Sequence, residues 1–229
     1  MKKKYFILLF SMMIASLMCV ACGGDEEDTI VSPYTSSGKH LTRVIEGGII
    51  FDFIYDSNLR VTQITRQGRP FRSYSYENNT ITETNYDSDF TFTVIYTLEN
   101  GRIVTVYNKG GDRTSTYEYK NGYLTTEKAS NNRKLNYIWE DGKLVKVEYE
   151  NEKTVEEYEY TDLICPQVFF PFGHYANMCG GFWGMSGYLG KSMKYLPSKY
   201  REDGYKESYK WVIEDGYPVK MNNITFEWE

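Results

Sequence analysis

Aromatic and charged residues alternate along short segments of this chain, and each segment ends at a polar turn. In Tyr117-Glu118-Tyr119, for example, the two aromatic residues stand two positions apart. Because successive side chains of a β-strand point to opposite faces, this spacing places the aromatic rings on one face and the charges on the other. Dipeptides that tolerate the positive φ angles of tight hairpins follow such segments at 100–101, 121–122, 141–142 and 215–216. The pattern predicts strand–turn–strand units.

These units repeat along the chain with a period of about 21 residues. The residues that precede the turns, which we use as anchors, are Tyr55, Tyr76, Leu98, Tyr119, Trp139 and Tyr160, and a seventh, Ile213, follows 53 residues later. With two strands in each unit, we expect an all-β fold, an antiparallel up-and-down meander of about 12–14 strands. So long a sheet rarely stays flat, so it should be curled or closed into a barrel, with a two-layer β-sandwich as the alternative.

The repeats are interrupted at 165–200 by an insertion rich in glycine, proline and aromatic residues. A loop of this length inside a compact domain usually has a function of its own or covers a site. Two interpretations stay open, a plug that fills the end of the sheet and a cradle for a ligand. For the cradle, the candidate binding residues are Trp183, Tyr188 and Tyr195, because aromatic faces offer apolar area on which sugar rings stack.

Cysteine and histidine are scarce, which limits the chemistry available to the chain. Cys165 and Cys179 both lie in the insertion, and in an oxidising compartment they form either a disulfide or two buried thiols. Together with His174 they supply three ligands, one fewer than a structural zinc site needs. We therefore expect no metal, no cofactor and no catalytic residue. The formal net charge of −5 also argues against a nucleic-acid partner.

Residues 1–21 have the layout of a secretory signal peptide, with three lysines followed by an apolar run over 5–18. The signal resembles that of bacterial lipoproteins, in which a small residue such as Ala21 precedes a cysteine that is lipidated. This resemblance makes Cys22 the lipid anchor, although Cys19 stands where a leucine is usual and is itself a rival acceptor. An ordinary signal peptide that leaves Cys22 as a free thiol is the alternative.

An acidic segment, 22–38, follows the predicted anchor and has the composition of a flexible linker. Its Gly-Gly and the four acidic residues at 25–28 resemble the signal that favours export of Bacteroidetes lipoproteins to the outer face of the outer membrane. A plain solvated linker, with the protein on the periplasmic face, is the alternative. Residues 39–229 then form a single β-meander domain that contains the insertion.

The hairpin units resemble the tyrosine-aspartate (YD/RHS-like) repeats of bacterial surface and toxin-shell proteins over 51–164, with Tyr55-Asp56 the nearest match. Together with the signal peptide, the chain resembles a family of Bacteroidetes outer-membrane lipoproteins. In that family hairpin repeats precede a Gly-Tyr-x-Gly-Lys-Ser segment, here 187–192, and a Tyr-Leu-Pro segment, here 195–197. The resemblance implies a porin-like fold. The likeness to the YD/RHS-like repeats concerns architecture and carries no catalytic residue, and the lipoprotein family has no assigned function.

These observations predict a lipid-anchored binding or scaffold module of the cell envelope, which captures glycans or nutrients or docks to an outer-membrane protein. A structural or adhesion protein of the cell surface and a glycoside hydrolase are the alternatives. The predicted strands, about seven residues long, are shorter than the 9–11 residues of membrane-spanning strands, and charged residues line one of their faces. We therefore expect the domain to lie outside the membrane and to reach it through the lipid.

Overall fold

The computed structural model describes residues 38–86, 90–150, 152–165 and 186–229. These residues form 17 β-strands and one turn of 3₁₀-helix at Ser186–Tyr188. The strands are β1 (Leu41–Glu46), β2 (Ile49–Tyr55), β3 (Val61–Arg66), β4 (Arg69–Glu77), β5 (Thr80–Tyr86), β6 (Thr91–Glu99), β7 (Arg102–Asn108), β8 (Arg113–Lys120), β9 (Tyr123–Ala129), β10 (Lys134–Glu140), β11 (Lys143–Tyr149), β12 (Val155–Ile164), β13 (Tyr195–Glu202), β14 (Tyr205–Ser208), β15 (Trp211–Glu214), β16 (Tyr217–Met221) and β17 (Ile224–Trp228).

The strands form one antiparallel sheet in which neighbours in the chain are neighbours in space. Ladders join each strand to the next from β1 to β14, and others join β15 to β16 and β16 to β17. Strand β17 pairs back to β1, with Val44 opposite Phe226. Buried side chains from strands all along the sheet pack into one core cluster. The all-β antiparallel meander that the sequence predicts is therefore confirmed, as a single curled sheet and not as a two-layer sandwich.

The two edges of the sheet, β14 and β15, follow each other along the chain with only two residues between them. No ladder joins these strands within the described ranges, so the sheet is curled and not closed. Asn222, at the β16–β17 turn, ties the edges together, because its side-chain amide donates to the Ser208 carbonyl and its side-chain oxygen accepts from the Lys210 amide, both at 2.9 Å. The curl thus brings the two edges to the same place, where neither is a long exposed edge.

The strand number of about 12–14 expected from the sequence is too low. Seven hairpin units account for β2 to β13 together with β15 and β16, and the structure adds β1, β14 and β17. These three strands lie outside the anchored units, so the repeat did not reveal them. Strand β13, Tyr195–Glu202, begins inside the segment that the sequence marks as an insertion.

A β-bulge recurs at the start of the strand that follows the turn. On β9, Leu124 pairs with Tyr119 and Thr126 pairs with Glu118, which leaves Thr125 outside the register. Equivalent extra residues are Thr42, Thr62, Val104, Val145, Ser198 and Val219. Because a bulge adds one residue to its strand, inward-facing side chains stand three and not two residues apart, as the buried Leu124 and Glu127 do.

Each of these bulges receives a hydrogen bond from an aromatic side chain of the neighbouring hairpin, an arrangement that we call an aromatic bridge. Tyr119 Oη donates to the Ile103 carbonyl at 2.6 Å, and Trp139 Nε1 donates to the Leu124 carbonyl at 2.7 Å. The other donor–acceptor pairs are Tyr55–Leu41, Tyr76–Val61, Tyr160–Leu144, Trp211–Pro197 and Trp228–Pro218. The acceptor is always the residue just before the extra one. The bridges therefore give partners to carbonyls at the points where the ladders are interrupted.

One hairpin differs in both parts of this arrangement. Strands β4 and β5 pair without a bulge, with Tyr76 opposite Ile81. The next anchor along the chain is Leu98, whose side chain has no hydrogen-bond donor. The bulge and the aromatic donor are thus absent at the same place along the row of turns at this end of the sheet.

The tight turns predicted at Asn-Gly and Asp-Gly are confirmed. Both central residues have positive φ angles, as at Asn121 (55°) and Gly122 (87°). We call the end of the sheet that carries these turns the capped end. The first strand also begins there, because the amide of His40 donates to the carbonyl of Glu229 at 2.7 Å and the amide of Lys39 donates to Tyr217 Oη at 3.0 Å.

Charged side chains pair on the outer face of the sheet. Arg43 lies between Asp52 and Glu227 of the two adjacent strands, at 2.6 and 3.6 Å. Similar pairs join Lys134 to Glu150, Lys146 to Glu148, Lys128 to Glu118, and both Lys199 and Arg201 to Glu159. Within the described ranges, no helix has the length and apolar character needed to cross a membrane.

We expect the aromatic bridges to stabilise the fold measurably. Tyr119→Phe keeps the ring but leaves the Ile103 carbonyl without its donor, which should cost about 1–3 kcal/mol of unfolding free energy. For a domain of this size that corresponds to a fall in Tm of roughly 2–4 °C per kcal/mol. Tyr107→Phe is the matched control, because its hydroxyl bonds only to the exposed side chain of Asp112 among the contacts described. Equal Tm values for the two variants would contradict a stabilising role of the bridge.

Candidate functional site

The segment 186–194 lies across the hairpin turns of the capped end. The amide of Lys191 donates to the carbonyl of Gly122, and the amide of Lys194 donates to the carbonyl of Gly142, each at 2.8 Å. These glycines belong to adjacent hairpins, whose tips are two strand spacings or roughly 10 Å apart. Three residues of extended chain span about the same distance. The segment is therefore matched in length to the repeat of the turns beneath it.

Gly190 allows this close approach. It has a φ of +86°, and a Cβ atom built on it would lie 2.4 Å from the carbonyl oxygen of Gly122. It also forms a β-bridge with Tyr123, the first residue after that turn. A side chain at this position would push the segment away from the sheet, so the cap depends on glycine here.

The inward side of the segment is apolar and buried. Tyr188, Leu189 and Met193 are 2%, 1% and 1% exposed. The hydroxyl of Tyr160, which forms an aromatic bridge, also donates to the sulfur of Met193 at 3.1 Å. These contacts make the described part of the insertion a plug that packs against the interior of the sheet.

The outward side of the segment carries lysines over tyrosine rings. The Nζ atom of Lys191 lies 5.2 Å from the ring centroid of Tyr123, and those of Lys143 and Lys194 lie 5.0 and 5.1 Å from that of Tyr195. Lys191 and Lys194 are exposed, whereas both rings are half-buried. We call these five residues the lysine–tyrosine patch. A lysine ammonium over an aromatic ring is attracted to it and still reaches solvent.

The structure separates the residues that the sequence singled out as a binding site. Tyr188 is buried in the plug, whereas Tyr195 is half-buried and belongs to the patch. Trp183 lies outside the described residues, as do Cys22 and Cys179. Cys165 is buried at the end of β12, and its amide donates to the carbonyl of Lys194 at 3.0 Å. Burial raises the pKa of the Cys165 thiol to about 12.

Sequence analysis missed a set of buried glutamates on the inner face. Glu83, Glu127 and Glu156 are at most 7% exposed. Each accepts hydrogen bonds from tyrosine hydroxyls, with Tyr96 at 2.7 Å from Glu83, Tyr137 at 3.3 Å from Glu127, and Tyr149 and Tyr158 both at 2.5 Å from Glu156. The period-two pattern of β5 could have revealed Glu83, which lies two residues from the buried Ile81. The bulge on β9 hid Glu127, because strict alternation from Leu124 would turn it outward.

Burial dominates the electrostatics of these carboxyl groups. Desolvation raises the pKa of Glu83 and of Glu127, and the nearby guanidinium groups of Arg72 and Arg133 counteract part of this effect. Nη1 of Arg72 lies 3.5 Å from Glu83. In the described part of the chain, no three His, Cys, Asp or Glu side chains come together in a way that would hold a metal ion. The inner polar groups therefore bond mainly to one another, as part of the core.

Comparison with known proteins identifies the fold. No protein-family model matches this chain, and no curated protein matches its sequence. Among solved structures, a porin-like protein from Bacteroides uniformis superimposes with a TM-score of 0.53. The two chains are 16% identical, and the match covers 82% of this chain and 95% of the other. The porin-like fold that the sequence resemblance implied is thus confirmed, and at this identity the likeness concerns the fold alone.

Replacing Gly190 should loosen the cap. Gly190→Ala introduces a Cβ atom that collides with the Gly122 carbonyl and holds alanine at a positive φ angle, which should cost more than about 1 kcal/mol. We expect a lower Tm and faster cleavage within 186–194 in limited proteolysis. Gly111→Ala is the control, because its φ is not positive and a Cβ there meets atoms no nearer than 3.7 Å. Identical protease sensitivity in the two variants would mean that the turn contact does not hold the cap.

The stability of the protein should depend on the ionisation of Glu127. Because the folded-state pKa of Glu127 is raised, its stabilising contribution is complete below the unfolded pKa and is lost as the pH rises through the folded value. Glu127→Gln does not undergo this loss. The Tm of the variant minus that of the native protein should therefore increase between about pH 4 and pH 8.

Glu118→Gln should show the opposite pH dependence. Glu118 lies on β8, the strand that pairs with the strand of Glu127. A hydrogen bond from Lys128 lowers the pKa of Glu118, so its contribution is present above the unfolded pKa and is lost as the pH falls. The Tm of this variant minus that of the native protein should decrease as the pH rises. The change should be small, because Glu118 is exposed. If the Tm differences of the two variants changed with pH in the same direction, burial would not control the ionisation of Glu127.

Proposed function

We propose that this chain is a non-enzymatic module of the bacterial cell envelope, attached to the outer membrane through a lipid on Cys22. In this proposal the domain lies outside the bilayer, on the cell-surface side, and captures glycans or nutrients or docks an outer-membrane protein. The fold is shared with a porin-like protein, so the first question is whether the sheet itself enters the membrane.

The charged outer face is the observation that carries the proposal. Arg43, Lys146 and Lys199 each pair with carboxylates on the wall of the sheet that points away from the core. On the lipid-facing wall of a membrane barrel, a lysine or arginine at the bilayer midplane costs about 2–4 kcal/mol. Such a wall favours water over lipid, and a protein with this surface needs a separate attachment to a membrane.

The position of the chain start is compatible with a lipid tether. Strand β1 begins at the capped end, and the predicted linker of residues 22–38 precedes it. Seventeen residues span at most about 3.3–3.6 Å each, or roughly 60 Å in all. A lipid on Cys22 would therefore hold the domain near the bilayer. The three acyl chains that the lipoprotein resemblance implies exceed the two signals that stable anchoring requires.

The capped end is the part of the molecule that we propose for glycan binding. Tyr195 has a half-buried ring there, and Trp183 stays a candidate from the sequence. Tyr188 is too deeply buried to stack on a sugar in this arrangement. The aromatic surface that we assign to the ligand is therefore that of the lysine–tyrosine patch.

A structural or adhesion role is the second candidate. The burial of Tyr188, Leu189 and Met193 favours it, because these side chains hold the cap on the sheet without needing a ligand. For a glycoside hydrolase we find no support in the buried glutamates. Glu83 and Glu156 accept hydrogen bonds from tyrosine hydroxyls in the interior and have no exposed surface at which a substrate could meet them.

Fractionation of cells that express the Cys22→Ser variant tests the attachment. We expect the native protein in the outer-membrane pellet and the variant in the soluble fraction, because the charged sheet has no affinity for lipid of its own. Cys19→Ser is the matched control and should remain in the pellet. If Cys22→Ser stays in the pellet after a high-salt wash, the domain itself holds the membrane and the proposal fails.

A further inference from the structure

The lysine–tyrosine patch combines two kinds of recognition in one place. The rings of Tyr123 and Tyr195 are half-buried, so part of each aromatic side chain reaches the surface beside the lysine that lies over its ring. The ammonium groups of Lys143, Lys191 and Lys194 lie 5.0–5.2 Å from the centroids of these rings. A ligand that fits this surface carries apolar C–H faces and anionic groups together.

We propose that the patch binds acidic saccharides, that is, polysaccharides that bear carboxylate or sulfate groups. This inference rests on the proposed glycan-binding function and specifies the ligand class of the same site. The sugar rings pack beside the tyrosine rings, and the acid groups accept hydrogen bonds from the lysines. Charge-assisted bonds of this kind are shorter and stronger than neutral ones.

The backbone fixes the spacing of the cationic groups. Lys191 and Lys194 are bonded through their amides to the carbonyls of Gly122 and Gly142 on adjacent hairpin tips. Their Cα atoms are thus held roughly 10 Å apart by the strand spacing of the sheet. A polymer with an acid group at regular intervals can engage both lysines at once, which gains affinity without further contacts.

The overall charge makes this local arrangement significant. Without residues 1–21 the chain has 23 Lys and Arg against 31 Asp and Glu, a net charge of −8. Such a protein repels polyanions in general. The three lysines of the patch outnumber the acidic groups of the hairpin tip beside it, Glu140 and Asp141. The lysine–tyrosine patch therefore carries a local excess of positive charge on a chain whose overall charge is negative.

The test uses the mature chain carrying Cys22→Ser, so that no lipid contributes to binding. The probes are polygalacturonate and heparin, each measured by affinity electrophoresis and titration calorimetry. Methyl-esterified polygalacturonate keeps the sugar and removes the charge. We expect binding to the acidic polymers, much weaker binding to the ester, and loss of affinity as the salt concentration rises.

Paired substitutions locate the site. Lys191→Gln with Lys194→Gln should weaken binding by about tenfold or more, as expected for the loss of two charged contacts. Lys109→Gln with Lys153→Gln makes the same change of charge at exposed positions of the opposite end and should leave affinity within about twofold. Equal Tm values for the two double variants exclude a folding defect, because all four side chains are exposed.

Each other outcome overturns the inference in a recognisable way. Equal binding of the ester and the acid would leave glycan capture standing and remove the preference for anions. Equal binding of polyglutamate, or of vesicles containing phosphatidylglycerol, would mean that the patch attracts any anion. Failure to bind either acidic polymer would overturn this inference, and failure to bind the ester as well would count against the proposed glycan-binding function. Lipid attachment is decided separately by fractionation.

Discussion

The fold depends on a pairing between a β-bulge and an aromatic side chain of the neighbouring hairpin. A bulge twists its strand and interrupts the ladder, which would leave a carbonyl without a donor in a half-buried place. The hydroxyl or indole N–H of the aromatic residue supplies that donor, as Trp139 does for Leu124. Because the ring crosses from one hairpin to the next, the same bond that satisfies the bulge also fixes the curl of the sheet. The β4–β5 hairpin, where Leu98 follows and no bulge occurs, obeys the same relation.

The repeat of this unit creates the surface on which the cap lies. Hairpin tips recur at twice the strand spacing, so the turn carbonyls form a regular row of acceptors. The segment that contains Lys191 and Lys194 bonds to two members of this row and buries Met193 between itself and the sheet. One backbone arrangement therefore does two things, since it directs apolar side chains inward as a plug and lysines outward beside tyrosine rings. The inward side of this segment is the plug that the sequence offered as one alternative, and its outward side is the surface that we propose for a ligand.

The interior of the sheet holds more ionisable groups than its hydrophobic pattern indicates. Glu83 and Glu156 are fully buried, and tyrosine hydroxyls give their carboxyl groups hydrogen bonds that water would otherwise provide. This arrangement explains part of the abundance of tyrosine in the chain. A tyrosine ring fills the core while its hydroxyl donates a hydrogen bond to a buried polar group. The outer face shows the opposite arrangement, with carboxylates such as Glu159 paired to exposed cations.

The sequence by itself determined the hairpin period, the turns and the antiparallel order, because these follow from local rules: alternation, positive φ at Asn-Gly and Asp-Gly, and short connections. It also marked Tyr195, which directly follows the segment that forms the cap. Only the tertiary structure decided on which face of the sheet Glu127 lies. The extra residue Thr125 moves every later side chain on that strand to the opposite face. The tertiary structure also decided that Tyr188 is buried and that Tyr123 and Lys143 join Tyr195. These residues lie far apart in the sequence and are brought to one end of the sheet by the order of their strands, β9, β11 and β13, and by the segment that crosses the turns.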